Sequence, residues 1–461
     1  MQGRPLPGIA SLPAADPTSR PAAVTDESEG LDRLRTLVSQ YTGVVSHVHE
    51  VLLEPDDARN IRFDVELAST ALTTGPSVQP PAGGSGHDRR FALAAALGEA
   101  VERYSGTCLP PESQSVLATA SELGPAAVEP ERFSLFSEAQ YAEEGFPFRP
   151  FTTDTTVRWV KGRSIPDGAE AYLPLQLAYI WRGAELMAGE TPIAPASSSG
   201  MAAGATEQEA ILHGLHELIE RDAVMLTWAN RLALPRLDWS TDAELVEHDV
   251  AHFASSGIAY EVIDLSVFCE VPTALALTRE GAAGFGAGAA SAATMQRAWD
   301  KALRECFQVR TALKRDLLED PHPSFQPDFS DIDGFVDHVR FYSSPEQQVH
   351  TEFLTSSEQV REIGDVPALD GDDPAARVEA IARRLEARNV AAYWVDIAPP
   401  DVKEAGLHAV HVISPDLQPI NDAHRYRFLG GRRLHEAAAE LGLRDAPLSP
   451  DELNPYPHPF A

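Results

Sequence analysis

Cysteine is scarce: three in 461 residues, at Cys108, Cys269 and Cys306. Their wide spacing excludes a disulfide framework and a cysteine-based zinc pattern. Positive charge is scarce too, with 37 Lys and Arg against 69 Asp and Glu and a formal net charge of −32. Phosphate backbones are bound through clustered Lys and Arg, so no nucleic-acid partner is expected. No apolar run is long enough to span a bilayer, and no basic stretch followed by an apolar one opens the chain. Neither a membrane span nor a secretory signal is expected, and the chain reads as cytoplasmic. What remains is ordinary for a globular protein: 43% hydrophobic and 23% charged residues, in a length that suits one large or two ordinary domains.

Chemistry concentrates between Ser199 and Trp228. A small-residue loop leads into a helix predicted from Thr206 to Asn230, with Ala210, Ile211, Leu212, Leu215, Leu218 and Ile219 on an apolar face. Glu209, His213, His216, Glu217 and Glu220 crowd the other side. Glu217, Glu220 and Arg221 spell E-x-x-E-R, and Glu99, Glu102 and Arg103 spell it earlier on a helix predicted from Asp88 to Tyr104. Side chains three apart share a helix face, so each copy is a carboxylate pincer, and two facing pincers suit a hard cation such as Mg²⁺. Either copy alone is better explained as a solvated charged face; the recurrence argues for a site. Thr206 and Glu209 form a T-x-x-E capping box. Glu209 and Glu220 lie about 16 Å apart along the axis and cannot share one ion. His216-Glu217 starts an H-E-x-x-H motif, but position 220 is Glu, so a zinc-protease reading fails.

In chain order, Met1 to Glu29 reads as a loose Pro/Ala-rich arm, and Leu31–Tyr41 as a short helix. Strands are predicted at 44–53, 62–70, 156–165, 172–181, 390–397 and 408–413, with a hairpin from 259–266 and 273–278. Residues 75–86 read as a Pro/Gly-rich linker able to cradle phosphate at the next helix N-terminus; G-x-x-x-x-G-K-[ST] is absent. Gly284–Gly288 reads as a glycine-rich loop, 294–316 as a long helix with Cys306 in the core, and 320–334 as an exposed loop. Another helix is expected at 375–388. The mixture predicts an α+β fold.

Gly84-Ser85-Gly86, the two E-x-x-E-R helices, Gly204-Ala-Thr-Glu-Gln-Glu-Ala210 and Leu303-Arg-Glu-Cys-Phe-Gln-Val-Arg310 together resemble motifs of the YcaO proteins, ATP-dependent enzymes that modify peptide backbones; Asp337-His338 adds a further echo. The likeness runs from about residue 45 to the end, dividing the chain into an N-terminal arm with a short helix (1–45) and one YcaO-like catalytic domain (46–461) with a Pro-rich tail at 455–461. Ser85 stands where the family has lysine, and Ala205 where it has asparagine. The resemblance implies mixed sheets and helices around a central ATP/Mg²⁺ site. Glu99, Glu102, Glu217 and Glu220 would hold metal. Ser85, Glu209, Arg221 and Arg310 would hold nucleotide, Glu209 toward the ribose or α-phosphate.

The Pro455-Tyr-Pro-His-Pro-Phe-Ala461 tail favours stiff polyproline II. It looks like the mark of azoline-forming members, with His458 or the Ala461 carboxylate approaching substrate as a base. The implied activity is conversion of Cys, Ser or Thr of a ribosomal precursor peptide to thiazoline or oxazoline. A separate leader-binding, E1-like protein would deliver the peptide, and a homodimer remains open. The alternatives are a thioamide- or amidine-forming relative and a catalytically silent scaffold.

Overall fold

Three runs of very small residues set the architecture. A computed structural model describes residues 24–68, 82–180, 189–279 and 284–460, with side chains from residue 29 onward. The described strands form three sheets. The first has the order β1 (Val45–Val51), β2 (Ile61–Leu67), β3 (Ala82–Gly86). The second runs β4 (Ser115–Ala118), β5 (Val157–Ser164), β13 (Tyr393–Asp396), β14 (His408–Ile413), β7 (Met201–Gly204), with β6 (Glu170–Pro174) paired to β5. The third runs β11 (Gly286–Ser291), β10 (Thr273–Thr278), β9 (Tyr260–Asp264), β8 (Arg236–Asp238), β12 (Val360–Glu362). All these pairs are antiparallel except β8 with β12.

The small-residue strands β3, β7 and β11 each close one edge of a sheet. Each leads within a few residues to a long helix: Arg89–Thr107, Glu207–Ala229 and Met295–Glu319. The N-caps are Asp88, Thr206 and Thr294, whose side chains accept backbone N–H groups of the first turn. Small residues are required because helix backbone lies directly on strand backbone. A Cβ added at Gly84 would sit 2.2 Å from the Ala96 nitrogen, and one at Gly288 would sit 2.2 Å from the Cys306 nitrogen. Each helix also packs on the next unit's strand: Arg89–Thr107 on β7, Glu207–Ala229 on β11, and Met295–Glu319 back on β3. The three units therefore close into a ring.

The α+β expectation holds, and Cys306 is a buried core residue. Five local expectations are corrected, the first being the small-residue loop ahead of Thr206, which holds strand β7 (Met201–Gly204). Residues 82–86 are strand, not linker, and the rest of that stretch through 81 lies outside the described residues. The glycine-rich run at 284–288 enters strand β11 at Gly286. The strand expected to reach Trp181 ends at Pro174, followed by one turn of helix at Leu175–Ala178; Trp181 lies outside the described residues. The helix expected at Leu31–Tyr41 spans Val24–Thr36, so it begins within the stretch read as a loose arm.

Backbone-on-backbone contact at β3 makes a direct prediction. Gly84→Ala should destabilise the protein by about 1–3 kcal/mol through overpacking, measured by urea unfolding; an unchanged midpoint would refute the close contact.

Candidate active site

Glu99, Glu217 and Glu305 stand at the same place in their helices, eleven positions past the N-caps Asp88, Thr206 and Thr294. That is about three turns. The ring of helices brings these positions to a common centre, with Glu102 and Glu220 one turn further on. Arg103 lies 3.2 Å from Glu99 and 3.7 Å from Glu102. Arg221 lies 3.8 Å from both Glu217 and Glu220. Lys301, on the third helix, is 3.9 Å from Glu220 and 3.4 Å from Glu305. Five carboxylates are thus served by three cations.

The imbalance has an electrostatic signature. Burial raises the Glu102 carboxyl well above the usual carboxylate range; Arg103 opposes this, and Glu217 and Glu99 add to it. Glu102 and Glu217 belong to different helices, so the two pincers lie within electrostatic reach of one another. Glu220, 4% exposed, is raised to about 8, first by burial and then by Glu305, with Lys301 and Arg221 opposing. These groups lack positive charge that the protein itself does not supply.

Other residues singled out in the sequence are placed as follows. Ser85 is buried in β3, and its carbonyl accepts a hydrogen bond from Arg304 Nη1 at 2.8 Å. The Gly83 N–H donates to the Glu99 carboxylate at 3.0 Å, tying the glycine strand to the first pincer. Thr206 accepts the Glu209 N–H as the capping box requires, but the Glu209 carboxylate accepts from Ala205 N–H, at 2.9 Å, rather than from the cap residue itself. His213 is exposed and meets the Ala203 carbonyl, while His216 is buried against Ser291 Oγ at 2.9 Å. Arg310 is fully buried and pairs with Asp56 at 2.6 Å, with Asp57 at 3.9 Å. Its guanidinium braces the third helix against the β1–β2 connection, a packing and ion-pair role that competes with nucleotide contact.

The tail also departs from expectation. His458 is 2% exposed, its ring packed inside rather than presented to substrate as a base. Its Nε2 lies 2.7 Å from the Asn421 carbonyl and therefore donates, leaving Nδ1 to accept the Phe460 N–H at 3.4 Å. Burial holds its pKa well below the ordinary value, and the nearby positive potential of His338, His424 and Arg221 adds to that. In this conformation neither ring nitrogen is free to take a proton. Trp228 Nε1 donates to the Tyr456 carbonyl at 3.1 Å, and Phe460 is 3% exposed. The tail is thus pinned beside the end of the second glutamate helix, within electrostatic reach of Arg221. Ala461 lies outside the described residues.

Lys301 and Arg304 were not singled out as site residues from the sequence, and Glu305 was noted only within the Leu303–Arg310 motif. The available signal was positional: Glu305 repeats the distance from N-cap to glutamate of the two pincers, but Gln308 replaces the second glutamate.

This geometry defines a class, an α+β protein with a half-buried, charge-deficient carboxylate cluster suited to hard divalent cations. Residues 83–418 match the family described as YcaO cyclodehydratase, ATP- and Mg²⁺-binding, and the chain belongs to the YcaO family. A heterocyclase solved in complex with substrate and cofactor is similar with a TM-score of 0.77 and 25% identity, over 95% of this chain and 57% of that one. The fold is also that of YcaO from Methanopyrus kandleri bound with AMPPCP and Mg²⁺, at a TM-score of 0.60 and 19% identity, over 85% of this chain and 91% of that one. An uncharacterized protein in the tfuA 3′ region of Rhizobium leguminosarum bv. trifolii is 27% identical over 202 residues, 43% of this chain and 45% of that one. The matches thus span about half the length of the heterocyclase and of the Rhizobium protein. ATP and Mg²⁺ are the family's cofactors, and the donor set fits them: oxygen ligands for the metal, and Arg103, Arg221 and Lys301 for phosphate charge.

A pH test follows from Glu220. Its folded pKa, about 8, lies above the ordinary 4.5, so the folded state holds a proton that the unfolded state releases. Its contribution to stability is therefore lost as pH rises from about 4.5 through 8. Glu220→Gln should flatten this part of the dependence, seen as the difference in Tm between variant and wild type across that range without metal. Parallel Tm curves would refute it.

Proposed function

We propose that the chain is an ATP- and Mg²⁺-dependent cyclodehydratase that converts Cys, Ser or Thr of a ribosomal precursor peptide to thiazoline or oxazoline. The observation that carries the reading is the convergence of Glu99, Glu102, Glu217, Glu220 and Glu305 from three helices on one charge-deficient centre. Glu99, Glu102, Glu217 and Glu220 hold the metal in this reading, and Glu305 joins them. Arg221, Arg103 and Lys301 orient and neutralise phosphate oxygens, while Ser85 and Glu209 border the nucleotide.

The side-chain thiol or hydroxyl adds to the preceding backbone carbonyl and gives up its proton, and the former carbonyl oxygen becomes the leaving group. Bound with its metal, ATP would supply the phosphoryl group that makes this poor leaving group a good one. Loss of phosphate and of the amide proton leaves the C=N bond of the ring, so the peptide loses one water while ATP becomes ADP and phosphate. The tail supports this reading, because it runs beside the Arg221 end of the cluster. His458 anchors the tail, and the carboxylate following Phe460 is the group proposed to reach substrate as a base. Delivery of the peptide by a separate E1-like leader-binding protein belongs to the same reading.

Mass spectrometry of peptide treated with this chain, ATP and partner should show a loss of about 18 Da per ring. Replacement of oxygen by sulfur would instead identify a thioamide-forming enzyme. Glu102→Gln and Glu220→Gln should each lower turnover about 100-fold or more, given several kcal/mol from metal charge stabilisation; wild-type turnover in both would overturn the assignment. Full, leader-dependent turnover without a second protein would refute the partner. Removing Ala461 alone should lower turnover while nucleotide affinity stays within about twofold, the pattern of an interaction made only in the transition state. Unchanged turnover would take the terminus out of the mechanism. The longer deletion from Pro455 would test folding instead, because His458 and Phe460 are core residues.

A further inference from the structure

Outside the glutamate cluster, three imidazoles from two segments meet. His248 and His252 lie one turn apart on helix Ala243–His252, and His87 lies in the turn between β3 and the N-cap Asp88. One nitrogen of each ring lies within 4.8 Å of the other two. The ring centroids are 4.0 Å (His87–His252), 4.5 Å (His87–His248) and 4.6 Å (His248–His252) apart.

Each ring already has one nitrogen committed to an oxygen acceptor. His87 Nε2 and His248 Nε2 both approach Asp300 Oδ1, at 2.6 and 2.9 Å, and His252 Nδ1 meets the Arg59 carbonyl at 3.1 Å. A carboxylate or a carbonyl only accepts, so these nitrogens carry protons, and the neutral ring then holds its lone pair on the other nitrogen. His87 Nδ1 is such an atom: it is buried and without a hydrogen-bond partner. Ligating histidines are held in this way, the distal N–H on a carboxylate or carbonyl and the lone pair toward the ion. Histidines four apart on a helix project from one face, a common zinc-chelating spacing.

We propose that His87, His248 and His252 form a binding site for a borderline divalent transition metal of the zinc type. Asp300 and the Arg59 carbonyl orient the rings, and a fourth position is left to water. Imidazole nitrogens select such ions over Mg²⁺, which takes oxygen, so the site is chemically separate from the glutamate cluster. Its role is a staple. Asp300 also accepts from Arg304 Nε at 3.0 Å, and Arg304 Nη1 holds the Ser85 carbonyl. An ion here would tie helix Ala243–His252 to the β3 turn and, through Asp300, to the third glutamate helix.

The test uses the full chain, purified without a polyhistidine tag, stripped of metal, and titrated with Zn²⁺ in excess Mg²⁺ by isothermal calorimetry. One equivalent should bind. His248→Ala and His252→Ala, each checked for fold by circular dichroism, should weaken binding at least 10-fold, and Glu99→Gln should leave it unchanged. Co²⁺ in place of Zn²⁺ should give the visible absorption of a low-coordinate site in wild type and lose it in both histidine variants. Absence of stoichiometric Zn²⁺ binding, or binding that survives both substitutions, would overturn the proposal. Binding that Glu99→Gln removes would overturn it as well. Because the readout is metal binding, failure here leaves the cyclodehydratase reading standing, and failure of peptide turnover leaves this site standing.

Discussion

Mutual repulsion among converging carboxylates is the constraint around which the molecule is built. Glu102 and Glu220 are forced toward their protonated forms by burial and by glutamates on neighbouring helices. Arg103, Arg221 and Lys301 offset only part of that cost. Such a centre is tolerated because the surrounding frame is over-determined: capped helices lie on strands too small to let them shift, and the second glutamate helix is clamped just past its signature. Asp222, directly after Arg221, is fully buried and paired with Arg433 at 2.6 Å, and it also accepts the Gln418 N–H at 2.8 Å. A buried pair of this kind serves position more than net stability.

Much of this was legible in the sequence, for identifiable reasons. The two E-x-x-E-R helices announce themselves by apolar periodicity, and their ends lie within a few residues of where the pattern puts them. The hairpin of β9 and β10 and the strand β14 carry enough branched and aromatic residues to be read directly. Strands β3, β7 and β11 were invisible because alternation is a property of side chains, and Gly and Ala have almost none to alternate. Their strand character comes from helices pressed on them, which is a tertiary effect.

The site shows the same division. Paired glutamates three apart form a local pattern and were found. Glu305 is a third member without its pair, and Lys301 is recognisable only once the Met295–Glu319 helix is seen packed against β3 and β11. Arg310 illustrates the reverse: a motif arginine whose partners, Asp56 and Asp57, lie some 250 positions earlier in the chain. His458 was read as a free base because isolated histidines titrate near neutrality. Burial and two engaged nitrogens remove that freedom.

The circular way in which the three helices overlap their neighbours' strands has an architectural consequence. Each sheet borrows the covering of its small-residue edge partly from the unit before it, so no one sheet with its helix makes an independent foldable module. Cutting the ring at any junction would strip a helix face and a strand face together. The fold is in that sense indivisible, and its working centre exists only as a property of the closed whole.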